Sequence, residues 1–376
     1  MKATGVICEL NPMHKGHVHL VKQLKKKDRA LVAVLSGPFV QRGSPAVMDK
    51  WLRAEIAVKN GFDLVLELPQ IYALQDARRF ARGAVASLAQ LPDIDNLGFA
   101  AEEGWGLTEI RRMQRDLENR DDAIRQFIKG GLSLNYALKN LSLSPIPANA
   151  KLGLEYARAV EDLGLNWSLE VVERLGAGHT DTGLSSPYPS GSAIRKAYKK
   201  QGYPAIADYL APESPVEYFP DKLPDLSLLN NYLKPALILG PPDLTGSAHF
   251  ETGMDYRFVK QFSQSGDIEE ACRLAANKRQ SRSRYRRLFL TGLLGIPRLN
   301  ETSPLLSYLR PLAFNDRGRL LLKNALGPIV HKPTRFGQDP DRKKILRIDQ
   351  KAQDLYLWMT GGIYPPEHQR TPFCPS

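Results

Sequence analysis

Short apolar runs alternate with amphipathic stretches along residues 1–205. The apolar runs predict strands at Thr4–Cys8, Leu31–Leu35, Asp63–Leu68, Asn96–Ala101 and Ser168–Glu173. The amphipathic stretches predict helices at His17–Lys27, Pro45–Asn60, Leu74–Leu91, Leu107–Lys129, Leu132–Leu141 and Lys151–Leu163. This alternation predicts an α/β fold, in which helices cover both faces of a parallel sheet and ligands bind at the carboxyl ends of its strands.

The pattern changes after about residue 205. Proline-rich pieces near residues 211–215 and 240–242 flank the stretch Leu226–Leu239. Helical patterns then dominate, at Phe258–Gln264, Ile268–Ala276, Tyr285–Leu294, Leu305–Leu309, Gly318–Asn324 and Asp349–Met359. A chain of 376 residues is too long for one ordinary core. We therefore predict two domains, an α/β domain over 1–205 and a mainly α-helical, basic domain over 206–376.

Composition narrows the class of protein. Hydrophobic residues make up 43% and charged residues 24%, as in soluble globular proteins. The longest apolar runs, about five to seven residues, predict no membrane-spanning helix. The start of the chain lacks a signal-peptide pattern. Three widely spaced cysteines indicate neither a disulfide framework nor a zinc site. These features predict a cytoplasmic protein without a structural metal.

The net charge of +12 is shared equally, +6 in each predicted domain, so it does not come from a charged tail. An excess of this kind is typical of proteins with a polyanionic partner, most often nucleic acid. A basic protein without such a partner is the alternative. Charge alone does not decide between the two.

The first candidate site is the stretch Glu9–Leu20, E-L-N-P-M-H-K-G-H-V-H-L, where the first strand turns into the first helix. Amides at a helix N-terminus are unpaired and attract anions. Gly16 permits close approach of a ligand to the backbone. His14 and His17 add donors that can stabilise charge developing on a phosphoryl oxygen. Ordinary polar residues at a helix start are the alternative, but the H-x-G-H spacing favours nucleotide chemistry, with both histidines catalytic.

A second candidate is the loop after the second strand, residues 36–45. Its possible substrate-binding residues are Ser36, Gly37, Gln41 and Arg42. Glutamine and arginine can bind a carboxylate, a phosphate or a base edge. A surface loop is the alternative. Asp49, Lys50 and Arg53 share one helical face nearby, and they either form surface salt bridges or face the ligand.

Three further positions suggest anion or ligand contact. In P-S-G-S-A-I-R, Ser190 or Ser192 caps a helix and Arg195 lies one turn inside it. This is an anion site or a simple cap. Arg174 lies at the end of the fifth predicted strand. This position favours a ligand contact, and a flexible surface loop is the alternative. Asn149 can act as an N-cap.

A basic run in the second half suggests contact with an RNA backbone. Its members are Lys278, Arg279, Arg282, Arg284, Arg286 and Arg287, with a tyrosine among them. A solvated helix face is the alternative.

H-x-G-H and S-x-S-x-I-R together resemble the HIGH-type nucleotidylyltransferase superfamily. More closely, E-L-N-P-M-H-K-G-H, S-G-P-F-V-Q-R-G-S-P-A, D-K-W-L-R-A-E-I-A and G-F-D-L-V-L-E-L-P resemble the bacterial tRNA(Met) cytidine acetate ligase family. A looser likeness around R-R-L-F-L-T-G-L-L-G-I continues into the second half. The resemblance implies a Rossmann-like catalytic domain with a parallel sheet.

The resemblance also implies a reaction. ATP and acetate form acetyl-adenylate, and the acetyl group passes to N4 of the wobble cytidine in elongator tRNA(Met), with Mg²⁺ accompanying ATP. The motifs carry ATP contacts over to Ile7, Asn11, Pro12, His14, Gly16, His17, Leu20, Ala100, Asn149, Arg174, Ser192 and Arg195. No metal ligand is carried over.

The chain departs from the family pattern in two places. Ala100 stands where F-G-S-E has its glycine, and Ala150 follows Asn149 where the family often has N-N-I-L-G. Two rival functions stay open. A catalytically weak RNA- or nucleotide-binding protein is supported by Ala100 and Ala150. A small-molecule nucleotidylyltransferase is disfavoured by the basic second half.

Overall fold

The computed structural model describes residues 1–130, 134–176, 183–184, 186–240, 243–299, 308–333, 339–361 and 367–375. Its strands are β1 (Lys2–Cys8), β2 (Arg29–Ser36), β3 (Phe39–Val40), β4 (Ser44–Pro45), β5 (Leu64–Leu68), β6 (Ile94–Ala101), β7 (Ser168–Glu173) and β8 (Pro311–Phe314). Six of them form one sheet in the order β7-β6-β1-β2-β5-β8. All pairs in it are parallel except β5 with β8. The α/β prediction is therefore confirmed.

Helices cover the sheet and make up most of the rest of the described chain. In the first half they are α1 (Lys15–Leu24), α2 (Lys50–Lys59), α3 (Gln70–Ala73), α4 (Ala77–Leu88), α5 (Leu107–Asn119), α6 (Asp121–Lys129), α7 (Leu134–Asn140), α8 (Ala148–Asp162) and α9 (Gly191–Gln201). In the second half they are α10 (Asn230–Leu239), α11 (Met254–Ser265), α12 (Ile268–Ala275), α13 (Arg282–Leu294), α14 (Asp316–Lys323) and α15 (Pro340–Thr360). No helix within these described ranges is both long and apolar enough to cross a bilayer.

Several predicted boundaries were wrong for local reasons. The helix expected from Pro45 begins at Lys50, because Asp49 caps it through the Trp51 amide while Pro45 pairs with Phe39 in the β3–β4 hairpin. The helix expected over 74–91 is shorter in the structure: Leu74 is the C-cap of α3, and α4 begins at Ala77 because Asp76 caps it by accepting the Arg79 amide. The helix expected over 107–129 is divided between α5 and α6. The helix expected at 305–309 lies largely outside the described residues.

The second half is not purely helical. β8 adds an antiparallel edge strand to the sheet of the first half, beside β5. This pairing joins residues far apart in sequence, which local patterns do not reveal. One apolar cluster also extends from Val34 and Phe80 to Tyr285 and Tyr356. The division into domains at residue 205 stays a prediction.

Both faces of the sheet are buried. In β2, Val32 and Val34 belong to one apolar cluster, whereas Leu31, Ala33 and Leu35 belong to the other. Successive side chains of a strand point to opposite faces. The continuous apolar run in the sequence is therefore explained by helices packed on each side.

A buried ionic cluster includes side chains of α2 and β5. Lys50 Nζ lies 2.7 Å from Glu67 Oε1 and 2.6 Å from Glu367 Oε1. Arg310 pairs with Glu367 at 2.7 Å and with Glu67 at 3.3 Å. All four side chains are at most 4% exposed. The cluster joins α2 and β5 to two parts of the second half.

The expectation for Asp49, Lys50 and Arg53 was therefore wrong. None lies on the surface or lines the cavities described below. The guanidinium of Arg53 donates to the carbonyls of Glu9 at 2.7 Å, Ser36 at 3.0 Å and Gly37 at 2.5 Å. Arg53 thus fixes the ends of β1 and β2 relative to each other.

Candidate nucleotide-binding site

Two adjoining cavities open at the carboxyl ends of the parallel strands. The first cavity lies between the starts of α1 and α9 and the end of β7, and its wall includes His14, His17, Arg174, Ser192 and Arg195. The second cavity lies between β1, α4 and α8, and its wall includes Ile7, Asp76, Phe80, Tyr156 and Arg287. The two share Glu9, His17, Leu20, Arg42, Ala100 and Asn149. Their position is the one that the α/β topology predicts for a ligand.

The two histidines close the first turn of α1. His14 is the N-cap, and its Nδ1 accepts the Gly16 amide at 3.1 Å. His17 Nδ1 accepts the His14 amide at 3.2 Å, which completes a reciprocal capping box. A Cβ on residue 16 would lie only 3.0 Å from His14 Cε1, so Gly16 leaves room for this ring. The H-x-G-H spacing therefore also has a structural role, because it lets the two histidines cap the start of α1.

This capping fixes the histidine tautomers. Because each Nδ1 accepts a backbone N–H, the proton of each neutral ring sits on Nε2. Burial lowers the pKa of His17 to about 4, and the charge of Arg174 adds to this effect. Burial, and next His17, lower the pKa of His14 well below its ordinary value. At neutral pH both rings are therefore uncharged and present Nε2–H donors.

The start of α9 faces the start of α1 across the first cavity. Ser190 caps α9 by accepting the Ala193 amide at 3.1 Å, and its Oγ lies 2.9 Å from Ser192 Oγ. One turn inside the helix, Arg195 donates to the Asn11 carbonyl at 2.6 Å. Burial lowers the pKa of Arg195, although Glu9 opposes this. Two helix N-termini and a guanidinium thus converge, which suits a polyphosphate.

Arg174 and Asn149 line the first cavity together with Ala100. The Arg174 guanidinium makes no hydrogen bond or ion pair with any residue that the structure describes, so it is available to a ligand. Asn149 is not the N-cap of α8, which is Pro147. Instead, its amide N–H and Nδ2 donate to Glu102 Oε1 at 3.1 and 2.9 Å. Glu102 therefore caps α8 from the end of β6.

Most of the other predicted nucleotide contacts line one of the two cavities, but Pro12 does not. Gly16, Leu20 and Ala100 line the first cavity, and Ile7 lines the second. Asn11 lines the first cavity, while its Oδ1 accepts the Val47 amide at 2.7 Å. Pro12 is buried and lines neither cavity.

The predicted substrate loop reaches the cavities through two of its four residues. Arg42 lines both cavities and Gln41 lines the second. Ser36 and Gly37 are buried at the end of β2. Their carbonyls accept hydrogen bonds from Arg53, so these two residues hold the start of the loop in place and do not line either cavity.

The basic run divides into an outer and an inner part. Lys278 and Arg279 are exposed. Arg282 and Arg286 both pair with Glu269, the former at 2.8 Å, and Arg284 pairs with Glu251 at 2.7 Å.

Arg287, the last member of the run, is only 9% exposed and lines the second cavity. Its NH1 donates to the Gln41 carbonyl at 3.0 Å. The start of α13 also packs closely on the substrate loop, since a Cβ at Gly43 would lie 2.8 Å from the Arg287 amide nitrogen. The basic run therefore leads from the surface to the cavities.

Several residues that line the cavities received no individual role from the sequence patterns, namely Glu9, Asp76, Phe80, Tyr156 and Tyr188. Glu9 begins the histidine stretch, so its strand-end position was an available signal. Asp76 falls inside the helix predicted over 74–91, whereas the structure makes it the N-cap of α4. The aromatic residues belong to helices and a loop whose facing sides depend on packing.

A replacement of His249 by glutamine is expected to weaken the loss of stability in acid. His249 Nε2 lies 2.6 Å from the Leu74 carbonyl. Burial, and next Arg287, lower its pKa to about 3. Below the unfolded pKa of about 6.5, the unfolded chain binds a proton that the folded chain does not, so acid lowers the free energy of unfolding by up to about 1.4 kcal/mol per pH unit.

Urea unfolding of both proteins between about pH 7 and pH 5 measures this difference. Glutamine can still donate to the Leu74 carbonyl, so the two stabilities should lie closest at neutral pH. If the two pH profiles were parallel, His249 would take up its proton equally in both states, and the assignment would be wrong.

The fold and the site define an α/β nucleotide-binding protein with a HIGH motif. A family model described as HIGH Nucleotidyl Transferase matches residues 1–370. A protein of Caldanaerobacter subterraneus subsp. tengcongensis, named tRNA(Met) cytidine acetate ligase, is 32% identical over 95% of both chains. A protein of the same name from Fervidobacterium nodosum is 30% identical over 95% of this chain and 91% of its own.

Two solved structures are similar to this chain over its whole length. The crystal structure of Thermotoga maritima TmcAL bound with alpha-thio ATP has a TM-score of 0.83, 27% identity and coverage of 100% of this chain and 99% of its own. The apo form has a TM-score of 0.85 and 28% identity, with the same coverage. The chain therefore belongs to the HIGH nucleotidyl transferase family and, within it, to the tRNA(Met) cytidine acetate ligase family.

Proposed function

We propose that this protein is an ATP-dependent ligase that activates acetate as acetyl-adenylate and transfers the acetyl group to N4 of the wobble cytidine in elongator tRNA(Met). The observation that carries the proposal is the convergence of two neutral histidines and the capped start of α9 on one cavity. The relatives named tRNA(Met) cytidine acetate ligase support the choice of substrates.

In the first step, an acetate oxygen attacks the α-phosphorus of ATP. The bond from this phosphorus to the bridging oxygen breaks, and pyrophosphate leaves with the electron pair. The Nε2–H groups of His14 and His17 donate to phosphoryl oxygens as negative charge develops on them. Ser192 and Arg195 bind the departing phosphates, and Arg174 with Asn149 holds the nucleoside side. Positioning and electrostatics supply the catalysis, so no protein nucleophile is needed.

In the second step, the N4 lone pair of cytosine attacks the acetyl carbonyl carbon. The bond from this carbon to the phosphate oxygen breaks, AMP leaves with the electron pair, and N4 releases a proton to solvent. The tRNA substrate accounts for the basic run and for its path towards the cavities. The reaction belongs in the cytoplasm, where its RNA substrate is found.

Mg²⁺ is proposed to enter with ATP. Among the described residues, no group of three histidine, cysteine or acidic side chains is arranged to hold a metal. Mg²⁺ usually takes phosphate oxygens and waters with one or two carboxylates, so a complete protein cage is not required. Glu9 is a carboxylate that lines both cavities and accepts the Gln41 amide through one oxygen, at 2.9 Å.

Mass spectrometry of tRNA(Met), incubated with the protein, ATP and isotopically labelled acetate, tests the proposal. The expected result is one labelled acetyl group on the wobble cytidine. Omission of ATP serves as the control. Acetate-dependent exchange of labelled pyrophosphate into ATP without any tRNA product would favour a small-molecule nucleotidylyltransferase. Absence of both activities would favour a binding protein without catalysis.

Replacement of Lys278 and Arg279 by glutamine is expected to weaken tRNA binding and to flatten its salt dependence. Both residues are exposed, and Arg279 Nε lies 4.0 Å from Glu251 Oε2, so this ion pair is long. Each lost phosphate contact should lower the slope of log K against log salt by roughly 0.7 to 0.9. Filter binding over a salt series measures it.

The matched control replaces Lys26 and Lys27, which are also exposed but lie beyond the far end of α1, away from the cavities. This control should leave the slope unchanged. An equal loss of slope in both double variants would assign the effect to net charge and not to a tRNA-binding surface.

A further inference from the structure

The second cavity contains charged groups that adenylation does not use. Asp76 and Arg287 both line it. Phe80, Phe99 and Leu152 line the same cavity, as does the hydroxyl-bearing Tyr156. A cavity lined by aromatic and apolar side chains together with a carboxylate and a guanidinium suits a planar ring with polar edges.

Asp76 keeps acceptor capacity for a ligand. Its Oδ1 accepts the Arg79 amide at 3.1 Å, and its Oδ2 accepts from Arg79 NH1 at 2.6 Å. An ionised carboxylate can accept about four hydrogen bonds, so roughly two sites stay open. Burial raises the pKa of Asp76, but the hydrogen bonds and charge of Arg79 have the larger effect, so the pKa is lowered overall. Asp76 is therefore an ionised acceptor at neutral pH.

Arg287 keeps donor capacity. Its NH1 is bound to the Gln41 carbonyl, whereas its buried Nε has no hydrogen-bond partner among the described residues. Burial lowers its pKa to about 10, so it stays protonated at neutral pH. A buried donor without a partner is costly, and a ligand acceptor would satisfy it.

We propose that the second cavity is the acceptor pocket, which takes a cytosine ring turned out of the tRNA strand, with Asp76 accepting from the exocyclic amino group and Arg287 donating to the acceptor atoms of the ring. This proposal rests on the proposed function and names its base-recognition residues. A cytosine edge carries an amino donor beside ring acceptors, which matches a carboxylate beside a guanidinium. Single-stranded bases recognised by proteins are commonly splayed out and stacked on aromatic side chains.

The position of Arg287 favours the base over the acid substrate as the occupant. Arg287 is the innermost residue of the basic run, so an RNA strand held by its outer members leads towards this cavity. Acetate offers only acceptors and would leave Asp76 facing a like charge. The cavity also adjoins His17 and Ala100, which lets the amino group approach an adenylate held in the first cavity.

The test compares Asp76→Asn with the wild-type protein. Asparagine is an equally good N-cap, so α4 should be retained, while its NH₂ group replaces an acceptor with a donor. The ratio of acetyl transfer to acetate-dependent pyrophosphate exchange should fall roughly 10- to 100-fold. Wild-type protein should bind tRNA with wobble cytosine more tightly than tRNA with wobble uracil, and the variant should lose this preference, because uracil presents a carbonyl where cytosine has its amino group.

Asp339→Asn is the matched control. Asp339 caps α15 and pairs with Arg342 three residues later, as Asp76 does with Arg79, but it lies outside both cavities. It should change neither the ratio nor the base preference.

Two results would overturn the proposal: an unchanged base preference in Asp76→Asn, or a loss of exchange as large as the loss of transfer. A wild-type protein without acetate-dependent exchange would instead refute the proposed function. Arg287→Lys gives a second check, since it keeps the charge but loses Nε, and transfer should again fall relative to exchange.

Discussion

Exchange of labelled pyrophosphate into ATP is expected to fall about 100- to 1000-fold when His17 is replaced by alanine or His14 by asparagine. Each variant removes one imidazole Nε2–H donor from the first cavity. His14→Asn preserves the cap of α1, because asparagine is a good N-cap, and His17→Ala loses only the reciprocal hydrogen bond to the His14 amide. The loss should therefore be chemical and not structural. It is measured as kcat/KM for acetate-dependent exchange.

His14→Ala provides the comparison. It loses the same donor and also the cap, so it should be less stable than His14→Asn by about 1 kcal/mol at similar residual exchange. tRNA binding should stay near normal in all three variants. If His17→Ala retained exchange within a few-fold of wild type, the proposed contact with the phosphates would be wrong.

Replacement of Lys50 by methionine is expected to lower the free energy of unfolding by about 3 to 5 kcal/mol. The change leaves Glu67 and Glu367 buried with only Arg310 to neutralise them. Burial lowers the pKa of Lys50, but the charges of these two carboxylates outweigh burial and raise it. Lys50 therefore stays charged and is needed for charge balance. Urea denaturation measures the loss.

Lys59→Met is the control on the same helix. Lys59 pairs with Glu55 at 3.0 Å one turn away, and its side chain is 32% exposed. Surface pairs of this kind contribute about 0.3 to 0.5 kcal/mol, so this variant should be nearly as stable as wild type. Similar losses of unfolding free energy in both variants would show that Lys50 stabilises the fold no more than a surface lysine does. Recovery of stability in Lys50→Met combined with Glu67→Gln would identify the unpaired carboxylate as the cause.

Local sequence was sufficient for the centre of the fold. The five predicted strands form next to one another, because strands buried on both faces are encoded by continuous apolar runs. The turn from β1 into α1 was also predictable, since His14, Gly16 and His17 lie within one helical turn and bond to one another. The same holds for the cap at Ser190.

Other features depend on contacts between distant residues. Lys50 and Glu367 are 317 positions apart, and no local pattern links them. β8 joins the sheet only because the second half returns to the edge of β5. Glu102 caps α8 from another strand, and Arg287 reaches the second cavity from the second half.

The sequence by itself therefore determined the parallel sheet, the histidine turn and the capped helix opposite it, because each depends on neighbours along the chain. Only the tertiary structure decided that the basic run ends inside a cavity and that Asp76 lies in the same cavity. Both results depend on how the two halves of the chain pack, which is a property of the whole core.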